Sequence, residues 1–129
     1  MMLSIESHRR YFLCTEPMDM RKGFDSLSGW VRQQLGKEPL SSDVYLFFNT
    51  RRTHVKILIW EGDGFAIYYK RLEKGSFEIP PFKAGQDHIS LSALTIQFIL
   101  CGISLTSIKW KKRWKNNVEN FTEIIENTK

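Results

Sequence analysis

The stretch from Val44 to Leu72 constrains the fold most, because its pattern predicts three consecutive antiparallel strands. Val44–Phe48 is an unbroken apolar run, and Val55–Trp60 and Phe65–Leu72 alternate in the manner of strands with two different faces. The link Glu61–Gly64 supplies two glycines and an aspartate, which favour a tight hairpin turn. We therefore expect the second and third strands to be direct neighbours in a meander.

Two segments with helical periodicity flank this meander. Apolar residues recur every three or four positions over residues 20–35, behind Asp19 as a candidate N-cap, and again over residues 90–101, behind Ser90. A short first strand is expected at His8–Cys14. These elements predict an α+β fold, with an antiparallel sheet of about four or five strands covered on one face by the two helices.

The chain has 129 residues, which corresponds to one domain. A further short strand fits the pattern at Phe77–Ile79, and Gly85–His88 is expected to be loop. The strongest change in composition comes at Lys109–Lys115, where five cations and two tryptophans occur without an acid. We predict an α+β domain over residues 1–106 and an extension over residues 107–129 that is basic, then acidic, and helical.

Three motifs occur in a fixed order between about residue 10 and residue 105. The first is Asp19-Met20-Arg21-Lys22-Gly23-Phe24 after Pro17, the second runs from Lys56 to Pro80, and the third is a helix that ends in Leu100-Cys101-Gly102-Ile103. Together they resemble the small TnpB-like accessory proteins of IS-sixty-six-type bacterial insertion sequences. The positions that carry the first two motifs are Asp19, Met20, Arg21, Lys22, Gly23, Lys56, Trp60, Gly62, Gly64, Lys70, Arg71, Leu72, Gly75, Phe77 and Pro80.

The resemblance implies a non-catalytic accessory protein that supports DNA transposition by a separate transposase. Two modes of action stay open. The protein binds DNA, with the transposon ends as the expected sites, or it docks on the transposase of the same element without touching DNA.

Catalysis is not indicated by the residues themselves. His8, His54 and His88 lie far apart in sequence without a second ligand at zinc-like spacing, so neither a metal site nor another cofactor is predicted. Glu61 and Asp63 form a carboxylate pair of the kind that two-metal nucleases use, but glycines alternate with them as in a turn. We expect no enzyme activity, and a metal-dependent nuclease is a distant alternative.

Nucleic acid is the partner that the charge favours first, since the chain carries a net charge of +5 and has a pI near 9.3. Basic residues cluster in three places, two of which have aromatic residues nearby, and the start of the predicted first helix adds a fourth. The nucleic-acid-binding candidates are Arg21, Lys22, Arg51, Arg52, Lys70, Arg71, Lys74, Lys109, Lys111, Lys112, Arg113 and Lys115. Alternatively, these cations are a solvated rim, and Phe65, Ile67 and Tyr69 face the core instead of stacking on bases.

The cellular setting follows from what the sequence lacks. Cys14 and Cys101 are the two cysteines, which fits reduced thiols better than a disulfide framework. The first twelve residues do not have a basic start followed by an apolar core, so we expect no signal peptide. No apolar run reaches the length of a membrane span, and we expect a cytoplasmic protein without a membrane partner.

Overall fold

The predicted meander is confirmed in a computed structural model, which describes residues 5–102. Its three strands pair in the expected antiparallel sense, and the link at Glu61–Gly64 closes a hairpin. In chain order the elements are β1 (Tyr11–Cys14), α1 (Phe24–Trp30), β2 (Val44–Phe48), β3 (His54–Trp60), β4 (Phe65–Arg71), β5 (His88–Leu91) and α2 (Ala93–Cys101). The predicted α+β class is confirmed, with five strands in one sheet.

The sheet is mixed, with the strand order β4-β3-β2-β1-β5. β1 pairs with β2 in parallel, so the expectation of a wholly antiparallel sheet was wrong at this pair. Parallel neighbours need a crossover connection, and residues 15–43, which include α1, provide it. β4 and β5 are therefore the two edges of the sheet.

The helices pack on opposite faces of the sheet, which corrects the prediction that both cover one face. Along β1, Tyr11 and Leu13 point into a core with Ile96 and Ile99 of α2. Phe12 and Cys14, which alternate with them, belong to a second core with α1. Because β2 and most of β3 are buried on both faces, their sequences read as nearly continuous apolar runs.

The first helix begins later than predicted. Gly23 is its N-cap and makes no side-chain cap, so the expected capping role of Asp19 was wrong. The Asp19 carboxylate instead accepts the backbone N–H of Arg21 at 2.8 Å, in a local turn before the helix. After α1 the chain continues through a π-helical turn, Val31–Leu35. This helical segment ends at Gly36, whose backbone is in the left-handed region.

The segment before α2 also differs from expectation. Residues 88–91 form the edge strand β5 instead of loop and helix start, and Phe77–Ile79 is not a strand. Ser92, not Ser90, caps α2 by accepting the backbone N–H of Thr95 at 3.2 Å. The helix ends at Gly102, whose φ of 94° suits glycine.

The predicted extension over residues 107–129, with its basic cluster Lys109–Lys115, lies outside the described residues. Within residues 5–102, neither helix has the length and apolar character needed to cross a bilayer.

Candidate functional site

One end of the sheet gathers segments that are distant in sequence. β2 ends there at Phe48, β3 begins there at His54, and β4 ends there at Arg71, because neighbouring strands run in opposite directions. The Asp19 motif crosses the same end, where the backbone N–H of Met18 donates to the carbonyl of Phe48 at 2.8 Å. The topology thus brings the first family motif against the loop between β2 and β3.

An open cleft of about 490 Å³ lies between this motif and the loop. We call it the Asn49 cleft. Its lining residues are Pro17, Met18, Asp19, Met20, Asn49, Thr50, Arg51, His54 and Tyr69. The volume is within the range of small-molecule sites, at roughly 300–1,000 Å³.

Asn49 organises the loop between β2 and β3. Its Oδ1 accepts the backbone N–H groups of Thr53 and His54 at 2.9 and 3.0 Å. Its Nδ2 donates to the Thr53 hydroxyl at 3.0 Å. Since this one amide makes hydrogen bonds to three groups of the loop, it fixes the backbone that carries the two arginines between Asn49 and Thr53.

The same amide fixes the tautomer of His54. Asn49 Nδ2 lies 3.2 Å from His54 Nδ1, and the Thr53 hydroxyl lies 2.8 Å from it. Because an amide nitrogen can only donate, Nδ1 is the acceptor, and the proton of the neutral ring is on Nε2. His54, which lines the cleft, therefore has an N–H donor at Nε2.

Arg52 has a backbone conformation that arginine seldom adopts. Its φ is 58°, and it is the one residue other than glycine with a positive φ among those described. The turn around it is closed by its own N–H, which donates to Asn49 O at 3.0 Å, and by Phe77 N–H, which donates to Arg52 O at 2.7 Å. A left-handed residue with a side chain costs about 1–2 kcal/mol relative to the right-handed region. Residues held in this way cluster at functional sites, so Arg52 is a candidate for function.

Ion pairing separates Arg51 and Arg52 from the other arginines that the structure describes. The remaining five each have a carboxylate within 3.3 Å: Arg9 with Glu6, Arg10 with Asp43, Arg21 with Asp19, Arg32 with Glu38 and Arg71 with Glu73. Within residues 5–102, Arg51 and Arg52 make no ion pair, and both are exposed. No acid among these residues neutralises their charge, so it can meet an external anion.

The Tyr69 ring, which lines the cleft, lies beside a buried cation. Lys56 is 9% exposed, and its ammonium donates to the carbonyl of Lys22 at 2.7 Å. The same nitrogen lies 4.9 Å from the centre of the Tyr69 ring, which is a cation–π contact. Tyr69 is 51% exposed, and its ring centre lies 6.0 Å from that of His54. Lys56 thus ties the Asp19 motif to the sheet and orients the Tyr69 ring.

Comparisons with known proteins identify a family for this chain. The family model described as IS66 Orf2-like protein matches residues 9–110. This chain belongs to that family. The uncharacterized proteins y4jC and y4hO of Sinorhizobium fredii are each 30% identical to it over 102 residues, which is 79% of this chain and 86% and 87% of theirs. No solved structure gave a significant match.

In this IS66 Orf2-like chain, Arg21 of the Asp19 motif is paired with the acid of the same motif. The Arg21 guanidinium hydrogen-bonds Asp19 at 2.7 Å and lowers the pKa of that carboxyl to about 2. Asp19 is therefore ionised at neutral pH and offsets the charge of Arg21. Since α1 starts at Phe24, Arg21 and Lys22 precede the helix instead of lying at its start as predicted, and their contact with nucleic acid stays a prediction.

The predicted cations of β4 and its following turn lie at the same end of the sheet. Leu72 N–H donates to Thr53 O at 2.9 Å and so ties that turn to the Asn49 loop. Lys70 donates to Leu100 O at 3.2 Å, which stabilises the end of α2 whether or not Lys70 contacts DNA. Arg71 pairs with Glu73 at 3.0 Å, and Lys74 is exposed.

The family-motif positions Trp60, Gly62 and Gly64 have roles in the fold, at the hairpin between β3 and β4. At the far end of the sheet, Glu61 N–H donates to Gly64 O at 2.9 Å, and Gly62 has a φ of 92°. Trp60 packs edge-on against Phe65 at 5.1 Å in the adjoining strands. Glu61 and Asp63 are exposed turn residues, and no group of three potential metal ligands occurs in the described part of the chain.

Three features of the site were missed from the sequence. The role of Asn49 is not predicted above, although asparagine is typical of turns in which the side chain binds the backbone a few residues on. The left-handed backbone of Arg52 had no sequence signal, since glycine or asparagine is usual there. Tyr69 was expected in the core with Phe65 and Ile67, but it lies beyond the end of that core.

Proposed function

We propose that this protein supports transposition as a non-catalytic accessory factor that binds DNA through the Asn49 cleft. Membership of the IS66 Orf2-like family supports an accessory role in transposition. The observation that carries the DNA-binding step is the charge of Arg51 and Arg52. They are the two arginines without an acid partner among the described residues, and they lie together in the loop that borders the cleft.

Phosphate groups are the anions that this surface fits. Arginine presents its donors in a planar fork that matches phosphate oxygens. Lys22 of the Asp19 motif and Lys74 of the turn after β4 add positive charge at the same end of the sheet. Contacts of this kind position a protein on DNA without reading its sequence, which suits a factor that works beside a separate transposase in the cytoplasm.

A salt series tests the proposal. We expect the double variant Arg51→Gln with Arg52→Gln to bind labelled transposon-end duplex more weakly than the wild-type protein. Its slope of log affinity against log salt should be flatter by about 1.8, because each lost phosphate contact removes about 0.9. Arg32→Gln is the matched control, since it removes one exposed arginine that is paired with Glu38 and does not line the cleft. Unaltered affinity and slope in the double variant would contradict the proposal.

The extension adds a second basic surface to the proposal. The cluster Lys109–Lys115 lies outside the described residues, and its contact with DNA stays a prediction from composition. Changing Lys111, Lys112 and Lys115 to glutamate should weaken DNA binding and flatten the salt slope further. If this triple variant binds as the wild type does, the cleft alone carries the DNA contact.

Docking on the transposase is the second candidate function. It is favoured by exposed apolar side chains, among them Phe24 of the first motif at 49% and Leu40 at 46%. Such side chains are enriched in protein interfaces when they cluster. Wild-type protein that binds purified transposase but not DNA, with binding lost in Phe24→Ser, would favour this candidate over the first.

A further inference from the structure

We infer that the Asn49 cleft holds an unpaired nucleotide of DNA, with the base on the Tyr69 ring and the flanking phosphates against Arg51 and Arg52. This inference rests on the proposed DNA-binding function and specifies its substrate as single-stranded or locally unpaired DNA. It is carried by three features at or beside one cleft: the exposed Tyr69 ring, the His54 side chain, and two arginines that have no acid partner within residues 5–102.

The Tyr69 ring is both accessible and held in place. It lies on the edge strand β4, in register with Lys56 of β3, whose ammonium contacts the ring at 4.9 Å. Lys56 is fixed in turn by the carbonyl of Lys22, and His54 packs near the ring from the same strand as Lys56. An aromatic ring that is already oriented loses little conformational entropy when a base stacks on it.

An intact duplex cannot use such a ring. Inside a duplex both faces of each base are covered by the neighbouring base pairs, so a protein ring can stack only on a base that is unpaired or turned out of the helix. Proteins that bind single strands combine stacking aromatics with a positive groove along the backbone. The Asn49 cleft has this combination, because Tyr69 and Arg51 both line it.

The polar lining suits a nucleotide better than an apolar ligand. The Nε2–H of His54, assigned from the contacts of Nδ1 with Asn49 and Thr53, is a donor for a base edge or a phosphate. The Thr50 hydroxyl is a second polar group of the lining. Arg52 lies next to this lining and has the strained backbone described above.

The test compares two DNA forms of the same sequence. Binding of a single-stranded oligonucleotide from the transposon end and of its duplex is measured with wild-type protein, Tyr69→Leu and Tyr69→Phe. We expect Tyr69→Leu to lose roughly 5- to 150-fold in affinity for the single strand, which is the usual effect of removing one stacking ring. Its affinity for the duplex should change by less than about twofold, because phosphate contacts dominate there. Tyr69→Phe should retain single-strand binding, since it keeps the ring.

Phe82→Leu is the matched control, because it removes another exposed ring that does not line the cleft. Thermal unfolding of each variant shows that the fold is intact. Equal losses on both DNA forms, or no loss on either, would overturn the inference while leaving arginine-dependent DNA binding in place. If wild-type protein binds neither form, the proposed DNA-binding function fails as well. If transposase binding depends on Tyr69 instead, the occupant of the cleft is a protein.

Discussion

The turns at the two ends of the sheet each contain a residue in the left-handed region, but the residue types differ. At the far end, the turn between β3 and β4 uses Gly62 for its left-handed position, at a φ of 92°. At the near end, the turn between β2 and β3 places Arg52 at a φ of 58°. Glycine adopts this region without steric penalty, whereas arginine does not. The difference indicates that a charge is held at the near end against the backbone preference of the chain.

Side-chain support differs in the same way. The far turn is closed by one backbone hydrogen bond, from Glu61 N–H to Gly64 O, and its acids Glu61 and Asp63 are exposed. The near turn is held by the amide of Asn49 and by a bond from Phe77 N–H to Arg52 O. A tight turn that only connects two strands does not need these extra hydrogen bonds. We therefore infer that the near turn has a function beyond connecting strands, and the far turn serves as the reference for it.

The largest expected effect comes from removing the Asn49 amide that holds the near turn. Asn49→Ala leaves the N–H groups of Thr53 and His54 without their acceptor, so we expect the free energy of unfolding to fall by about 2–3 kcal/mol. Asp63→Ala in the far turn should change it by less than about 0.5 kcal/mol, because Asp63 is exposed. Chemical denaturation measures both. Asn49→Asp, which keeps the acceptor, should lose less than Asn49→Ala. Equal stability of the two alanine variants would break the comparison.

The next effect concerns the backbone of the far turn. Gly62→Ala should lower the free energy of unfolding by about 1–2 kcal/mol, because alanine is strained at this positive φ. Gly64→Ala is the matched control, since a Cβ at either glycine would meet no atom within 4 Å and Gly64 has no positive φ. The control should differ from the wild type by less than about 0.5 kcal/mol. Equal losses of unfolding free energy at both glycines would show that the positive φ of Gly62 is not the cause of the loss.

Sequence reasoning succeeded where local rules decide the structure. Apolar runs and alternation placed β2, β3 and β4 within one residue of their observed bounds, because the central strands are buried on both faces. The glycine-rich turn at Glu61–Gly64 was confirmed because its residues suit a tight hairpin, and of its two glycines only Gly62 has a positive φ.

It failed where partners distant in sequence decide. The N-cap prediction at Asp19 was wrong for a local reason instead, because Arg21, only two residues on, engages the carboxylate through its N–H and its guanidinium. β5 was missed because it has four residues, and it became a strand only by pairing with β1. The Asn49 cleft could not be seen either, since its walls come from three segments that only the parallel β1–β2 crossover and the β3–β4 hairpin bring together.

The smallest effect sharpens the contrast between paired and unpaired arginines. Asp19→Asn keeps the turn at Arg21 N–H but removes the charge that offsets the Arg21 guanidinium. We expect a modest gain in DNA affinity and a salt slope that is steeper by at most about 0.9, the amount for one added phosphate contact. Because the pKa of Asp19 is about 2, the wild-type carboxylate stays ionised down to pH 4, so the gain should be constant between pH 6 and 8. Weaker DNA binding in Asp19→Asn would show that Arg21 needs its acid partner.

Arg52→Gly tests the central claim most directly, because it separates the backbone of the near turn from its charge. Glycine suits the φ of 58°, so the variant should unfold at the wild-type temperature or slightly above it. If Arg52 is held in that conformation to meet phosphate, the slope of log affinity for transposon-end duplex against log salt should be flatter than wild type by about 0.9. A wild-type slope in this stably folded variant would contradict the account.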